Sequence, residues 1–219
     1  MNTARGTARY SAAEEWANSM THALGTVLSI AALTVLVFYA SQQGSVWHIT
    51  SFAIFGSSLI FLYASSTLYH LLRHPATKAR LRIFDHIAIL LLIAGTYTPF
   101  TLVTLHGPWG WSLFAVVWVL AGSGILIEFS HLRYRRQLSI ALYVAMGWLI
   151  VMAMKPLLNA LPGGGFTLLL SGGLSYTLGI SFYLWRKLPY HHAIWHLFVL
   201  AGSILHFSSI FFYVLPMSV

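Results

Sequence analysis

Histidines with the spacing of metal ligands stand near the C-terminal end of this 219-residue chain. His192 and His196 are four residues apart in the segment HHAIWHLFVLAGSILHF, so in a helix both imidazoles lie on the same side, one turn apart. The chain has no cysteine, so a transition-metal site would have to use histidine, aspartate, glutamate and water. Three imidazoles with an open fourth position are typical of a zinc ion that activates water. Whether such a site forms depends on which residues the rest of the fold brings to these two histidines.

The composition is that of a polytopic membrane protein. Hydrophobic residues make up 58% of the chain and charged residues only 7%, whereas a soluble domain has about 25% charged residues. Apolar blocks of roughly 20 residues recur, which is the length a helix needs to cross the hydrocarbon core. They predict an all-α bundle of seven transmembrane helices in one domain, residues 20–215, after a polar lead of residues 1–19. The predicted spans are 20–41, 48–72, 83–105, 110–131, 138–157, 165–186 and 192–215.

The distribution of basic residues predicts the orientation of the bundle. Eleven of the twelve Lys and Arg residues fall on one side of the predicted spans, and Lys155 alone falls on the other. The positive-inside rule therefore predicts a cytoplasmic N-terminus and a C-terminus outside, in a multi-pass protein of the inner (plasma) membrane. The same distribution, in short loops between spans, argues against nucleic-acid binding. The eleven residues are Arg5, Arg9, Arg73, Lys78, Arg80, Arg82, Arg133, Arg135, Arg136, Arg186 and Lys187.

In this orientation most of the ionisable residues of the spans gather at the cytoplasmic face. His70 ends the second span and Asp85 opens the third, at the depth of His192 and His196. These residues predict a site of three imidazoles from two helices with a carboxylate beside them. His206 lies ten residues beyond His196, about 15 Å deeper at roughly 1.5 Å per residue, so it cannot bind the same ion.

Simpler roles remain open for several of these residues. A single histidine at a helix end is more often hydrogen-bonded than metal-bound, and this applies to His48, His74, His106 and His131. Ser66 precedes His70 by four residues and could serve only in close helix packing. Intramembrane ionisable groups nevertheless indicate a functional site, because leaving them unpaired in hydrocarbon is costly.

Four separate segments together carry a family resemblance. EEWANSMTH, SSTLYH, FDHIAILLLIAGTYTPF and HHAIWHLFVLAGSILHF resemble the bacterial hemolysin III branch of the progestin and adipoQ receptor (PAQR) family, in the same order and on the corresponding spans. The resemblance covers about residues 14–213. It implies seven helices with a cytoplasmic N-terminus. The long soluble N-terminal segment of the adiponectin-receptor branch is missing, so hormone binding is not implied.

The resemblance also implies a metal centre and assigns residues to it. A zinc ion near the cytoplasmic face would be bound by His70, His192 and His196, and Asp85 and Ser66 match the positions around the metal-bound water. Residues of the motif that enters the first span match positions that support the ligands or the fold; these are Glu15, Asn18 and His22.

Several functions are compatible with such a centre. The resemblance suggests a zinc-dependent hydrolase of lipid amide or ester bonds, of the ceramidase type, with membrane lipids as partners and substrates. A non-enzymatic sensor or modulator of membrane energetics or lipid homeostasis is the alternative. A zinc ion that only pins helices together is a further one. Direct pore formation by a cytolysin is disfavoured, because the spans lack a polar lining.

Overall fold

The computed structural model describes residues 10–218, and within them the chain is entirely helical. Seven helices in this range are long and apolar enough to cross a membrane, which confirms the predicted seven-helix membrane fold. The orientation of the bundle in the membrane remains a prediction. The helices are α1 (Ala12–Gln43), α2 (Val46–Leu71), α3 (Pro75–Thr104), α4 (Pro108–Phe129), α5 (Arg135–Ala160), α6 (Gly163–Leu184) and α7 (His191–Val214).

Two helices begin well before the apolar segments that predict them. Ser11 caps α1: its hydroxyl accepts from the backbone N–H of Glu14, and its own N–H donates to the Glu14 carboxylate at 2.8 Å. This reciprocal pair satisfies two otherwise free donors, so the helix starts at Ala12. α3 starts at Pro75, because proline fits the first helical position, where no N–H is needed. Both extensions carry polar residues into helices at the cytoplasmic end predicted above.

A side chain pairs with the backbone groups that an irregular turn inside one span leaves without helical partners. α5 changes to a 3₁₀ turn at Leu149–Ala153, and the Tyr97 hydroxyl of α3 accepts from the N–H of Ile150 at 2.8 Å and donates to the carbonyl of Gly147 at 3.1 Å. In hydrocarbon such freed backbone groups must find a partner within the protein. α3 is thereby tied to α5 at the level of the break.

The packing brings the polar ends of α1, α2 and α7 together. α1 packs along α2, α2 along α3 and α6 along α7, and α1 also contacts α7. Gly25 allows the close approach of α1 and α2, since a Cβ there would lie 2.3 Å from Cδ1 of Tyr63. Tyr63 cannot move aside easily, because it is buried and its hydroxyl donates to Ser203 of α7 at 2.7 Å.

The substitution Gly25→Ala should therefore overpack this contact. We expect it to cost about 1–3 kcal/mol of stability, the usual range for an added methyl group in a packed core. The measurement is the thermal unfolding midpoint in detergent micelles. Gly122→Ala on α4 is the matched control, because a Cβ there meets no atom of another part of the described chain within 4 Å. Equal midpoints for the two variants would contradict this account of the α1–α2 contact.

Candidate metal centre

Three histidines from two helices converge at the polar end of the bundle. One ring nitrogen from each of His70, His192 and His196 lies within 4.8 Å of the other two, and all three side chains are buried. His70 stands in the last turn of α2, while His192 and His196 occupy the first turns of α7. The i, i+4 spacing accounts for the two ligands on α7, whereas the third depends on how α2 meets α7. A buried histidine triad that could bind a metal is thus present, as the sequence predicts.

Hydrogen bonds select which nitrogen His70 offers. Its Nδ1 lies 2.7 Å from Oε2 of Glu15, and the other carboxylate oxygen of Glu15 is 2.9 Å from Nζ of Lys78. A carboxylate only accepts, so Nδ1 carries the proton and Nε2 keeps its lone pair. Nε2 is buried and has no hydrogen-bond partner within residues 10–218. A histidine held by a carboxylate in this way is the common arrangement of a metal ligand.

Contacts with α1 orient the His196 ring in the same way as that of His70, with Nδ1 held by hydrogen bonds and, in the described part of the chain, Nε2 left unbonded. Its Nδ1 lies 3.1 Å from the carbonyl oxygen of Asn18 and 3.1 Å from Oγ1 of Thr21, whose own hydroxyl donates to α1 carbonyls. Nδ1 is therefore the protonated nitrogen, and Nε2 remains free to bind. Nδ1 of His192 is buried with no partner among the described residues. Buried polar nitrogens left unpaired are costly, and a metal ion would satisfy them, so the residues fit such an ion.

The three residues of the α1 entry motif surround this triad. Glu15 holds His70, and the Asn18 side-chain nitrogen approaches the same Nδ1 at 3.5 Å. The His22 ring stacks on His196, with centroids 3.5 Å apart and planes 18° from parallel. Both nitrogens of His22 are buried without a partner in residues 10–218, yet His22 is not part of the converging group. α1 therefore contacts the triad through each of these side chains.

Asp85 and Ser66 stand beside the triad, not within it. The converging group in the described part of the chain contains three histidines and no carboxylate. Asp85 and Ser66 line one cavity together with His192 and His196. Ser66 is buried, and Asp85 is partly exposed. Both are placed to face a molecule in this cavity.

The cavity combines apolar walls with polar residues at one end. It has a volume of about 460 Å³ and mostly apolar walls contributed by α3, α5, α6 and α7. Three arginines from different parts of the chain, Arg82, Arg136 and Arg186, line it as well. It extends along α7 from His192 to His206, so the deep histidine belongs to the cavity although not to the triad. Polar and apolar residues thus line the same space beside His192 and His196.

Two residues beside the histidine triad were not predicted from the sequence to contact it. The ring of Tyr10 lies 5.2 Å from that of His192 and 6.1 Å from that of His70, centroid to centroid. Burial raises the pKa of the Tyr10 phenol, so the hydroxyl stays a neutral donor at physiological pH. Lys78, counted above only as a topology signal, holds the carboxylate that orients His70. No local pattern marks either residue, because both act across helices.

Removing the carboxylate behind His70 should weaken metal binding. We expect Glu15→Ala to lower the affinity about 10- to 100-fold, as loss of a ligand's hydrogen-bond partner typically does. The measurement is competition for the metal with a chelator of known affinity. Glu14→Ala is the matched control, since within residues 10–218 the Glu14 carboxylate bonds only the backbone N–H groups of Ser11 and Tyr190. Equal affinities for the two variants would refute this role of Glu15.

A family model and similar known proteins agree on the family of this chain. A family model described as Haemolysin-III related matches residues 10–207. The chain is 50% identical over 203 residues to Hemolysin-3 of Bacillus cereus, covering 93% of each chain. It is 50% identical over 200 residues to the Hemolysin-3 homolog of Bacillus subtilis (strain 168), covering 91% of this chain and 94% of that one. The human Monocyte to macrophage differentiation factor is 27% identical over 208 residues, which are 91% of this chain and 84% of that protein.

These matches extend over nearly the whole described chain. The range of the family model includes all three histidines of the triad. The resemblance found in the four sequence motifs is thereby confirmed. This multi-pass membrane protein belongs to the haemolysin III family.

Proposed function

We propose that this protein is a zinc-dependent membrane hydrolase that cleaves an amide or ester bond of a lipid near the inner leaflet. The observation that carries this proposal is a buried histidine triad, two of whose members line an apolar cavity together with Asp85 and Ser66. A triad with unpaired nitrogens needs a cation, and a cavity of this kind needs an amphiphilic occupant. Hydrolysis is the chemistry that uses both.

The donor set favours zinc. His70, His192 and His196 would hold the ion through neutral imidazole nitrogens, which suit zinc among the common divalent metals. When bound, zinc with an open coordination position polarises a carbonyl group and lowers the pKa of water to about 7. Glu15 and the Asn18 carbonyl keep the imidazoles of His70 and His196 in one tautomer and one orientation.

The remaining polar residues handle the substrate and its proton. Asp85 lines the cavity outside the triad, so its carboxylate is available to take a proton from the attacking water. The Ser66 hydroxyl is available to donate to the carbonyl oxygen on which negative charge develops. The apolar walls would bind the acyl chain and exclude bulk water from the reacting bond.

The proposed substrate comes from the membrane itself. The cavity lies within the span region, and its polar end carries Arg82, Arg136 and Arg186. Under the positive-inside rule this end faces the cytoplasm, so the inner leaflet of the plasma membrane is the proposed source of lipid. Membrane lipids are accordingly the proposed partners, with no role for nucleic acid.

The test is turnover of a lipid amide by the purified protein. An N-acyl lipid amide with a fluorescent acyl chain, presented in mixed micelles, should be hydrolysed by the wild type. Activity should be lost after chelation, return with zinc, and be absent in His196→Ala. Turnover that survives chelation, or none in a zinc-loaded protein, would overturn the proposal.

A structural metal is the second candidate, and one observation favours it. A zinc ion on the triad would join α2 to α7, and the Glu15 and Asn18 contacts would add α1. Such a protein would act as a non-enzymatic sensor or modulator of the membrane. This alternative gives Asp85 and Ser66 no role, so their variants separate the two candidates.

A further inference from the structure

A second polar cluster, formed by His86, Glu128, Ser139 and Arg135, connects three helices beside the same cavity. Glu128 of α4 is 1% exposed, so its carboxylate is almost fully removed from solvent and lipid. Ser139 of α5 donates to Oε1 of Glu128 at 2.5 Å, and Arg135 donates to the Glu128 carbonyl oxygen at 2.8 Å. His86 of α3 contacts Oε2 through Nδ1 at 3.1 Å. A buried carboxylate with this many partners is held in one position.

The imidazole of His86 is oriented by this carboxylate. Because a carboxylate only accepts, Nδ1 of His86 carries a proton toward Glu128. The backbone carbonyl of His86 also accepts from the Tyr143 hydroxyl at 3.2 Å, which fixes this turn of α3. Nε2 has no hydrogen-bond partner within residues 10–218, and the side chain lines the cavity with Asp85 and His192. A carboxylate-held histidine that lines a site, with its second nitrogen left for exchange with a substrate, is the arrangement of an acid–base catalyst.

A purely structural role for this cluster would not explain why it includes His86. Ser139 and Arg135 already tie α5 to Glu128 without any histidine. The His86 side chain is 24% exposed, and it lines the same cavity as His192 and His196. Histidines of α3 and α7 thus border one space from different helices.

We propose that His86, positioned by Glu128, is the residue that protonates the leaving group, a role that rests on the proposed hydrolysis. Water oxygen adds to the carbonyl carbon as one water proton passes to the Asp85 carboxylate. The carbonyl bond then re-forms and the carbon–nitrogen bond breaks, with its electron pair going to nitrogen. The nitrogen takes a proton from Nε2 of His86, which enters the reaction as an imidazolium ion, protonated on both nitrogens, beside the Glu128 carboxylate. The products are a carboxylic acid and an amine, and return of the proton from Asp85 to His86 through solvent restores both residues. The pair therefore suits a substrate with a poor leaving group, such as an amide.

The test compares two substrates that share an acyl chain. A lipid amide needs a protonated leaving group, whereas the matching p-nitrophenyl ester does not. In zinc-loaded protein, His86→Gln should lower amide turnover about 100-fold or more and ester turnover only about threefold or less, given what general acids contribute. Glu128→Gln should shift the amide-to-ester ratio in the same direction, by less. Zinc content should stay at the wild-type value in both variants.

His74→Gln is the matched control, since His74 is an exposed histidine at the start of α3. It should leave both rates unchanged. Equal loss of amide and ester turnover in His86→Gln would show that the cluster only braces the helices, and would overturn the assignment. Unchanged amide turnover would overturn it as well. A wild type that hydrolyses neither substrate would refute the proposed hydrolysis itself and this role with it, an outcome visible before any variant is made.

Discussion

Asp85→Asn should lower the turnover of a lipid amide by about 100- to 10,000-fold, the range that a lost proton acceptor costs. Asparagine keeps the size of the side chain and removes its basicity. Asp85 lies in the cavity wall and outside the converging histidines, so the bound metal should remain at the wild-type amount. The measurements are kcat for the amide and zinc per chain on the same preparation.

Thr96→Val on the same helix controls for disturbance of the cavity. Thr96 also lines the cavity, but its hydroxyl is taken up by the Leu92 carbonyl at 2.8 Å. We expect little change in its kcat. An Asp85→Asn protein that loses zinc together with activity would make Asp85 a part of the metal site. An active, zinc-loaded Asp85→Asn protein would favour the structural metal.

Removing the metal should destabilise the wild-type protein. An ion that binds only the folded chain adds about 2.7 kcal/mol when its free concentration is a hundred times the dissociation constant. The ligands belong to α2 and α7, so this energy is absent when the two helices separate. Chelation should therefore lower the thermal unfolding midpoint of the wild type in micelles and leave that of His70→Ala unchanged.

His106→Ala serves as the control for this effect. His106 is exposed at the opposite end of the bundle, and among the described residues its hydrogen bond is to the Leu102 carbonyl. Its midpoint should fall on chelation by as much as that of the wild type. A wild-type midpoint that does not respond to the chelator would show that no metal couples these helices.

The apolar pattern predicts the helices better than it predicts their ends. Seven apolar blocks correspond to seven helices, because the bilayer sets their length and composition. The starts of α1 and α3 lie earlier than the blocks, since a capping box at Ser11 and a proline at residue 75 extend the helices into polar sequence. Hydropathy cannot detect such extensions, whereas local capping signals can.

The site was predictable where its geometry is local to one helix. The spacing of His192 and His196 brings them to one side of α7, and matching depth brings His70 to them. The contact of Glu15 with His70 and the stacking of His22 on His196 depend on how α1 packs against α2 and α7. No spacing in a single sequence contains that information.

The same limit applies to the second cluster. His86 lies near the start of the predicted span 83–105 and Glu128 near the end of the span 110–131, which puts both at one end of the bundle but gives no sign that they touch. Their contact depends on the lateral packing of α3 against α4. The depth of a residue in the membrane follows from its position along a span. Which residues touch also depends on how each helix is rotated about its own axis, and the sequence does not give that rotation.

Zinc content is the most direct test of the central claim. The metal in purified wild-type protein, prepared without chelator, would be counted by mass spectrometry beside His196→Ala and His206→Ala. His206 lies on the same helix and borders the same cavity, outside the triad. If the triad binds zinc, the wild type and His206→Ala will each carry one zinc per chain, and His196→Ala will carry none. A wild type without metal, or a His196→Ala protein that keeps it, would contradict the assignment of the triad as a zinc site.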